Sequence, residues 1–596
     1  MTDTALTDAH IKHRASNYSG ARWRIWSVKP SDAWHEREGG GLALITLLTI
    51  AILCVVPVAQ LVFAASRVFT GDGEAMALLT SSTLSRATGN TLVIAVGSTA
   101  FALVYGVAVA VVLSAMKLRT ERALAFLFVL SLMVAPQVSA LAFKTLAGPS
   151  SPILNTLGLA PPIGTRNPML SFGGIIFVMG LHHAPLVAIT VAAGLSRVPK
   201  ALVEASLLDG ANAWQVISRV ILPVMRLHVL AATLLAFVAG VGNFGIPALL
   251  GLPAGITTLP TLVFRQLASF GQTGINDAAL VSLVIALIAG VAVVASAIVM
   301  SRRDVRVDSG ATFEPFVDNL IGKLIAEATL WVVFALTIIL PLLSLLATSL
   351  VPAYGVTLNW ETLTFSQFTD VLWRQALVQR AFLNSFLYAG SAAMTVGCLA
   401  LVIAYAVDRR LARAKPLMLC IVEMPYALPG VVIAIACILM FVRPLPVIGI
   451  SVYGTAWIII FAYLASFLAI GLKPVMASVS SLDTEVEEAA LIDGATVGER
   501  VRKIIGPLVL PSIVAGALMV FLLAFNELTI SALLWSAGTE TLGVALLNLD
   551  DAGLGAESAA LAVAATAIIA IIMGIMEALS RYFPDHSLPW RQIANH

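Results

Sequence analysis

Charge is what this sequence has least of. Only 11% of its 596 residues are Asp, Glu, Lys or Arg, 59% are hydrophobic, and mean hydropathy is +0.95. A water-soluble chain keeps about a quarter of its residues charged to face solvent, so composition excludes an ordinary soluble enzyme or a nucleic-acid partner. Cysteine is scarce too. Cys54, Cys398, Cys420 and Cys437 all fall in apolar runs, at spacings that match no metal site or disulfide framework, and are expected to be small buried residues. The sequence has no phosphate-binding loop of the form G-x-x-x-x-G-K-[ST] and no clustered catalytic set. Any use of ATP therefore falls to another polypeptide. Residues 1–40 are polar with no early apolar stretch, and are expected to form a cytoplasmic tail, not a cleavable signal.

Long apolar runs fill the space that charge leaves. A bilayer core of about 30 Å takes roughly twenty helical residues. Candidate spans are Gly41–Ala65, Thr91–Met116, Ala123–Leu146, Met169–Leu195, Leu227–Gly251 and Asp277–Met300. A second set comprises Leu324–Leu350, Ser385–Val407, Leu417–Phe441, Val452–Leu472, Leu508–Trp535 and Ala556–Leu579. The runs holding Pro136 and Pro425/Pro429 are expected to kink there without breaking, because neighbouring helices satisfy a freed carbonyl. The expected fold class is an all-α membrane protein of about twelve transmembrane helices. With the N-terminus inside, 27 of the 35 Lys and Arg fall on inner segments; Arg67, Arg86, Lys144, Arg166, Arg265, Arg374, Arg380 and Arg443 remain outside. The positive-inside rule then makes both termini cytoplasmic.

A polar linker, residues 301–323, divides the chain into two six-span domains, 41–300 and 324–582, followed by a tail, 583–596. Six is even, so both halves enter the membrane in the same direction and form parallel, pseudo-symmetric repeats. Residue identities agree with duplication. At an offset of 284, Glu204, Ala205, Leu207, Asp209, Gly210 and Ala211 recur as Glu488, Ala489, Leu491, Asp493, Gly494 and Ala495. Pro223 recurs as Pro507, and the offset drifts elsewhere, with Asn90-Thr91 answering Asn384-Ser385.

The repeated segments lie in the longest inner loops. Each reads as a short helix, a glycine break, a second short helix and a proline where the next span begins. Val203, Leu207 and Leu208 give the first an apolar face. Thr484 and Glu487 have capping-box spacing at the start of the second. Gly210 and Gly494 supply a backbone conformation that a side chain penalises. The product is a rigid, partly apolar knob below the membrane, shaped for a groove on a cytoplasmic partner.

This pattern resembles the EAA motif of ABC-importer permeases, with Ser206 in place of the second alanine in the first copy. The resemblance covers about Gly41 to Leu579. It implies that Glu204, Ala205, Gly210, Glu488, Ala489 and Gly494 couple to two copies of a cytoplasmic ATPase carrying ATP and magnesium. It also implies a periplasmic or lipid-anchored substrate-binding protein and a bacterial inner-membrane location. Glu527, its offset partner Asn243, and Asn526 are expected near the translocation path, since an ionisable residue at membrane depth is a functional candidate; interhelical hydrogen bonding is the plainer role. Adjacent His182 and His183 cannot easily chelate one ion on a helix and are expected to pack. Glu423, beside Pro425, is expected at a kink near the pore or in a structural role. Fused permeases of this kind resemble the ferric-iron group, with thiamine and 2-aminoethylphosphonate importers as alternatives; Phe244–Gly251 and Thr257–Pro260 carry that likeness. A twelve-helix secondary transporter is the competing class, but it needs no docking knobs.

The orientation is testable by labelling. In a cysteine-free background, an impermeant thiol reagent added outside is expected to modify a cysteine at Ser150 and to spare one at Ser309. Labelling at both positions overturns the twelve-span arrangement.

Overall fold

The computed structural model describes residues 32–594 except 71–73, 163, 269–271, 302–312, 445–448 and 583–588. Most of the expected N-terminal tail, Ser309 and much of the linker thus lie outside the described residues. Among those described the fold is helical, without a β-strand.

The first half runs α1 (Asp32–Ile50), α2 (Val56–Thr70), α3 (Ser82–Ala115), α4 (Glu121–Met133), α5 (Pro136–Ala147), α6 (Phe172–Leu195), α7 (Lys200–Leu208), α8 (Arg226–Gly242), α9 (Leu259–Ala268) and α10 (Gln272–Ser301). The second runs α11 (Leu320–Phe334), α12 (Leu340–Ser349), α13 (Ala376–Tyr405), α14 (Lys415–Ala427), α15 (Gly430–Phe441), α16 (Ala456–Ser481), α17 (Thr484–Ile492), α18 (Gly506–Phe525), α19 (Leu542–Asp551) and α20 (Gly555–Ala578), then α21 (Pro589–Ala594). Among the described residues nine helices are long and apolar enough to cross a membrane, and four bent pairs bring the number to as many as thirteen.

Prolines shape these helices in a repeated way. A proline inside a helix clashes with the carbonyl four residues back, and widening the preceding turn to π geometry relieves the clash. Wide turns at Ala51–Val55 and Ala335–Ile339 precede Pro57 and Pro341; those at Ile217–Ile221 and Arg500–Ile505 precede Pro223 and Pro507. At Pro136 and Pro429 the outcome is stronger than the expected kink: α4 and α5 meet at 100°, α14 and α15 at 99°. A residue before proline is driven to extended backbone. Ala135 and Leu428 adopt it, at ψ 141° and 142°, and both helices stop.

Two further expected spans end early. The run Leu227–Gly251 stops being α-helix at Gly242, and Pro247–Ala254 with α9 forms a separate pair bent by 79°. The run Leu508–Trp535 breaks after Phe525 and resumes at Thr529–Leu534, and α19 follows after a further non-helical stretch. Apolar content does not report such breaks, because these folded-back segments are themselves buried: Phe244, Ile246, Leu249 and Leu250 are all inside the protein.

Packing within each half centres on three spans. In the first, α3, α6 and α8 lie together; in the second, α13, α16 and α18 do. Small residues set the separations, as expected where lipid gives helices no hydrophobic reason to associate. A Cβ on Gly106 of α3 would lie 2.5 Å from the Ala184 carbonyl oxygen of α6. The halves also exchange their first spans: α2 packs on α15, and α12 packs on α5. The described part of the linker and the last described helix are both held in place. Phe316 and Val317 donate their N–H groups to the Ala115 carbonyl, both at 3.1 Å, and Trp590 and Ile593 of α21 are buried against the first half. Of the four cysteines, Cys54 and Cys437 are buried as expected, whereas Cys398 and Cys420 are exposed on their helices.

Gly106→Val is expected to push α3 and α6 apart and to lower stability by about 1–3 kcal/mol, the usual range for overpacking. Thermal unfolding of the detergent-solubilised protein measures this; an unchanged melting temperature refutes the close contact.

Candidate coupling loops and central helix breaks

The two loops that carry the repeated motif share one backbone plan. Helix α7 ends where Asp209 N–H donates to Ala205 O (3.0 Å), Gly210 N–H to Leu207 O (3.0 Å) and Ala211 N–H to Ser206 O (3.0 Å). Helix α17 ends with the same set: Asp493 to Ala489 (3.1 Å), Gly494 to Leu491 (3.0 Å) and Ala495 to Ala490 (3.0 Å). This is a Schellman ending, whose central residue takes the left-handed conformation. Gly210 has φ +85° and Gly494 φ +81°. Space around both is open, so backbone angle alone requires glycine.

A second short helix follows in each loop. Asn212 with Gln215, and Thr496 with Glu499, form the capping boxes that start it. The capping box expected at Thr484–Glu487 does not form: Asp483 takes the cap position, Thr484 is already helical, and Glu487 is held by Tyr405, Arg409 and Arg500. The apolar face of α7 divides as well. Val203 is buried and seats the helix, while Leu208 is 87% exposed; Ile492 of α17 is 85% exposed and Trp214 72%. Glu204, Ala205, Glu488 and Ala489 are exposed beside them. Large apolar side chains bared in a polar loop mark an interaction site. Lys200, which faces Glu204 at 3.6 Å, donates to the Glu314 carboxylate at 2.6 Å, and that bond holds its ammonium pKa above the ordinary range.

At the molecular centre the breaks of one half meet the bends of the other. Asn526 donates its side-chain N–H to the Met133 carbonyl at 2.6 Å, satisfying a group freed where α4 stops, and Gln137 Nε2 faces Asn526 O at 3.5 Å. Reciprocally, Gly242 lies so close to Pro429 that an added Cβ would sit 2.7 Å from the proline Cβ. Asn243 and Glu527, expected as counterparts, do the same backbone job. Asn243 Oδ1 accepts from Ile246 N–H at 3.1 Å; Glu527 accepts from Ile530 N–H at 2.7 Å and Ser531 N–H at 3.1 Å. Both are N-caps in the sense of satisfying the first donors of a new helix. Further out, Thr91 and Ser385 hydroxyls accept from Leu259 N–H and Leu542 N–H, each at 2.8 Å, while Asn90 and Asn384 donate to the carbonyls of Thr257 and of Gly538 and Glu540.

Thus Asn526 and Glu527 belong to one cluster with Gln137, and Asn243 occupies the equivalent break. Gln137 and the Gly242–Pro429 contact were not singled out from the sequence; an amide beside Pro136 in an otherwise apolar run was the available signal. His182 and His183 are buried with ring centroids 5.5 Å apart, and the described residues contain no group of His, Cys, Asp and Glu placed to hold a metal ion. Glu423 pairs with Lys473 at 3.2 Å, both about half exposed, and so is not buried at the bend.

A family model for the binding-protein-dependent transport system inner membrane component matches twice, at residues 106–307 and 397–584. A ferric transport system permease of Actinobacillus pleuropneumoniae is 24% identical over 520 residues, 84% of this chain and 73% of the relative. An Fe(3+)-transport system permease of Haemophilus influenzae is 25% identical over 386 residues, covering 63% and 70%. A protein of Salmonella paratyphi A named for 2-aminoethylphosphonate transport is 26% identical over 158 residues, 26% of this chain and 58% of the relative. The chain belongs to the family of binding-protein-dependent inner-membrane transport components, and is an ABC-importer permease with its two halves fused in one polypeptide.

Proposed function

We propose that this permease moves ferric iron delivered by a binding protein outside the membrane, and that two copies of a cytoplasmic ATPase drive it by engaging α7 and α17. The observation that carries the coupling role is the matched pair of exposed helices, each ended by a positive-φ glycine and each presenting bare apolar side chains. Support for iron comes from the relatives named for ferric transport. The shorter match to a relative named for 2-aminoethylphosphonate transport keeps that substrate as the second reading, with thiamine, from the sequence resemblance alone, behind it. Selection falls to the binding protein, so thermal shift of that partner with ferric ion, thiamine and phosphonates is the substrate test. Stabilisation by thiamine or a phosphonate, and not by ferric ion, rejects iron.

In this reading both termini and both coupling loops are cytoplasmic, and ATP and magnesium reside on the ATPase. Closure of the ATPase pair moves the loops, and α8 and α18 carry that movement to Asn243, Asn526 and Glu527, which border the path. A β-branched side chain at positive φ is strongly disfavoured. Gly210→Val and Gly494→Val are therefore each expected to lower substrate-stimulated ATP hydrolysis and uptake while the protein still inserts. A double variant that binds the ATPase and transports normally rejects the coupling assignment.

Glu527 separates path from scaffold. Glu527→Ala removes a cap and is expected to cost about 1 kcal/mol. Glu527→Gln keeps only one of the two acceptor oxygens, so it is expected to lose part of the cap, to assemble with the ATPase and yet to change uptake. Uptake equal to wild type leaves Glu527 as a cap only.

A further inference from the structure

The duplication makes it possible to compare how the two coupling helices are fastened, and the fastenings differ in kind. The offset of 284 sets Glu487 of α17 against Val203 of α7, and Arg500 against Val216. The correspondence of Asn90 with Asn384 sets Tyr405, at the inner end of α13, against Val111, and Arg409 against Ala115. In the first half all four positions are buried and have no polar side-chain atom: Val111, Ala115, Val203 and Val216. In the second half the same four positions carry two guanidiniums, a carboxylate and a phenol, and they converge. The Tyr405 hydroxyl donates to Glu487 Oε1. Arg409 Nε lies 3.5 Å from Glu487 Oε2, and Arg500 Nε lies 3.8 Å from Oε1. Arg409 also donates to the Leu482 carbonyl at 2.9 Å, just ahead of α17.

Burial makes this arrangement consequential. The Arg500 side chain is only 2% exposed. A buried charge stripped of its partner is strongly unfavourable, so Glu487 must stay within Coulomb range of Arg500 whatever the loop does. The contacts at 3.5 and 3.8 Å exceed the 2.7–3.2 Å of a directed hydrogen bond. These two arginine contacts act through Coulomb attraction, which weakens only gradually with separation, while the directed Tyr405 bond is the single fixed tether about which the helix turns. Packed valines behave differently, because a gap of about 0.5–1 Å already forfeits a quarter to a half of the dispersion attraction. The first coupling helix is also braced from the linker, where Lys200 meets Glu314 and Phe316 and Val317 donate to Ala115.

We propose that Glu487 is a positioning residue: it forms an ionic socket with Tyr405, Arg409 and Arg500 that lets α17 rock against α13 while staying tethered, whereas α7 moves as a rigid block. The two ATPase contacts of this fused permease are then mechanically unequal, with the second the compliant one. The inference rests on the reading that α7 and α17 engage ATPase subunits.

The test uses the complete permease–ATPase complex with its substrate-loaded binding protein. It records the ATPase retained on size exclusion, the melting temperature, and stimulated ATP hydrolysis per assembled complex. Glu487→Gln is expected to retain the ATPase but to lose about tenfold in stimulated turnover, roughly the worth of a hydrogen bond to a charged group. Glu487→Asp, which keeps the charge, is expected to recover most of it. The double variant Glu487→Val/Arg500→Val copies the first half; it is expected to assemble and to melt no lower than Glu487→Gln, yet to remain poorly stimulated. Normal stimulation per complex in both Glu487→Gln and the double variant overturns the proposal, and so does a loss confined to yield or melting temperature. Gly494→Val serves as the separate control: if it too leaves retention and stimulation unchanged, the coupling reading itself fails, and the socket falls with it for that reason.

Discussion

Inside a bilayer core an interrupted helix leaves backbone N–H and C=O groups with no water to bond, and each costs several kcal/mol if left bare. The centre of this permease is organised around that requirement. It interrupts four helices in one region, at Val134–Ala135, Asn243–Ile246, Leu428–Pro429 and Asn526–Leu528, and supplies several of the freed groups from nearby side chains. Asn526 reaches the carbonyl that α4 abandons, and Asn243 and Glu527 meet the first donors of the segments beyond. Thr91 and Ser385 do the same for α9 and α19. Interruptions so supported turn the chain at the axis without unfolding it, which an uninterrupted bundle does not permit.

Much of this was legible in the sequence, and the reasons are physical. The all-helical, many-span fold follows from hydropathy, which acts over about twenty residues and tolerates local error. Gly210 and Gly494 were legible because a positive φ strongly favours glycine, and the glycine recurs at the same offset. The correspondence of Asn90-Thr91 with Asn384-Ser385 was visible as two matched polar pairs in apolar runs, and the structure gives them the same hydrogen bonds.

What was not legible depended on competition between neighbours. The spacing of Thr484 and Glu487 fits a capping box, but a buried arginine and a tyrosine from distant segments claim the glutamate. The fold-backs at Phe244–Gly251 and Thr529–Leu534 read as continuations of spans because burial in protein and burial in lipid select the same side chains. The bends at Pro136 and Pro429 are twice signalled, by proline and by the restriction on the residue before it, yet their size is set by what packs into the corner. Gly242 and Gln137 supply that information, and neither is informative until its neighbour is known.

The exchange between halves has a mechanical consequence. Helix α8 begins beyond one coupling loop and ends at Gly242, against Pro429 of the other half; α18 begins beyond the second loop and ends at Asn526, bonded to Met133 of the first. At about 1.5 Å per residue, each is a strut of about 25–30 Å from an inner loop to the opposite half's bend. On the proposed coupling, displacing either loop acts on the corner of the other half, so neither corner moves alone. The struts are not equal. The approach to α8 is bent by 73° at Met225, while Val497–Phe525 runs as one span. A straight strut carries axial displacement with little loss, and a bent one converts part of it to rotation. Duplication set the same parts in both halves. Divergence at Met225, and at the residues beneath α7 and α17, then gave one half a bent lead on a packed seat and the other a straight lead on an ionic one.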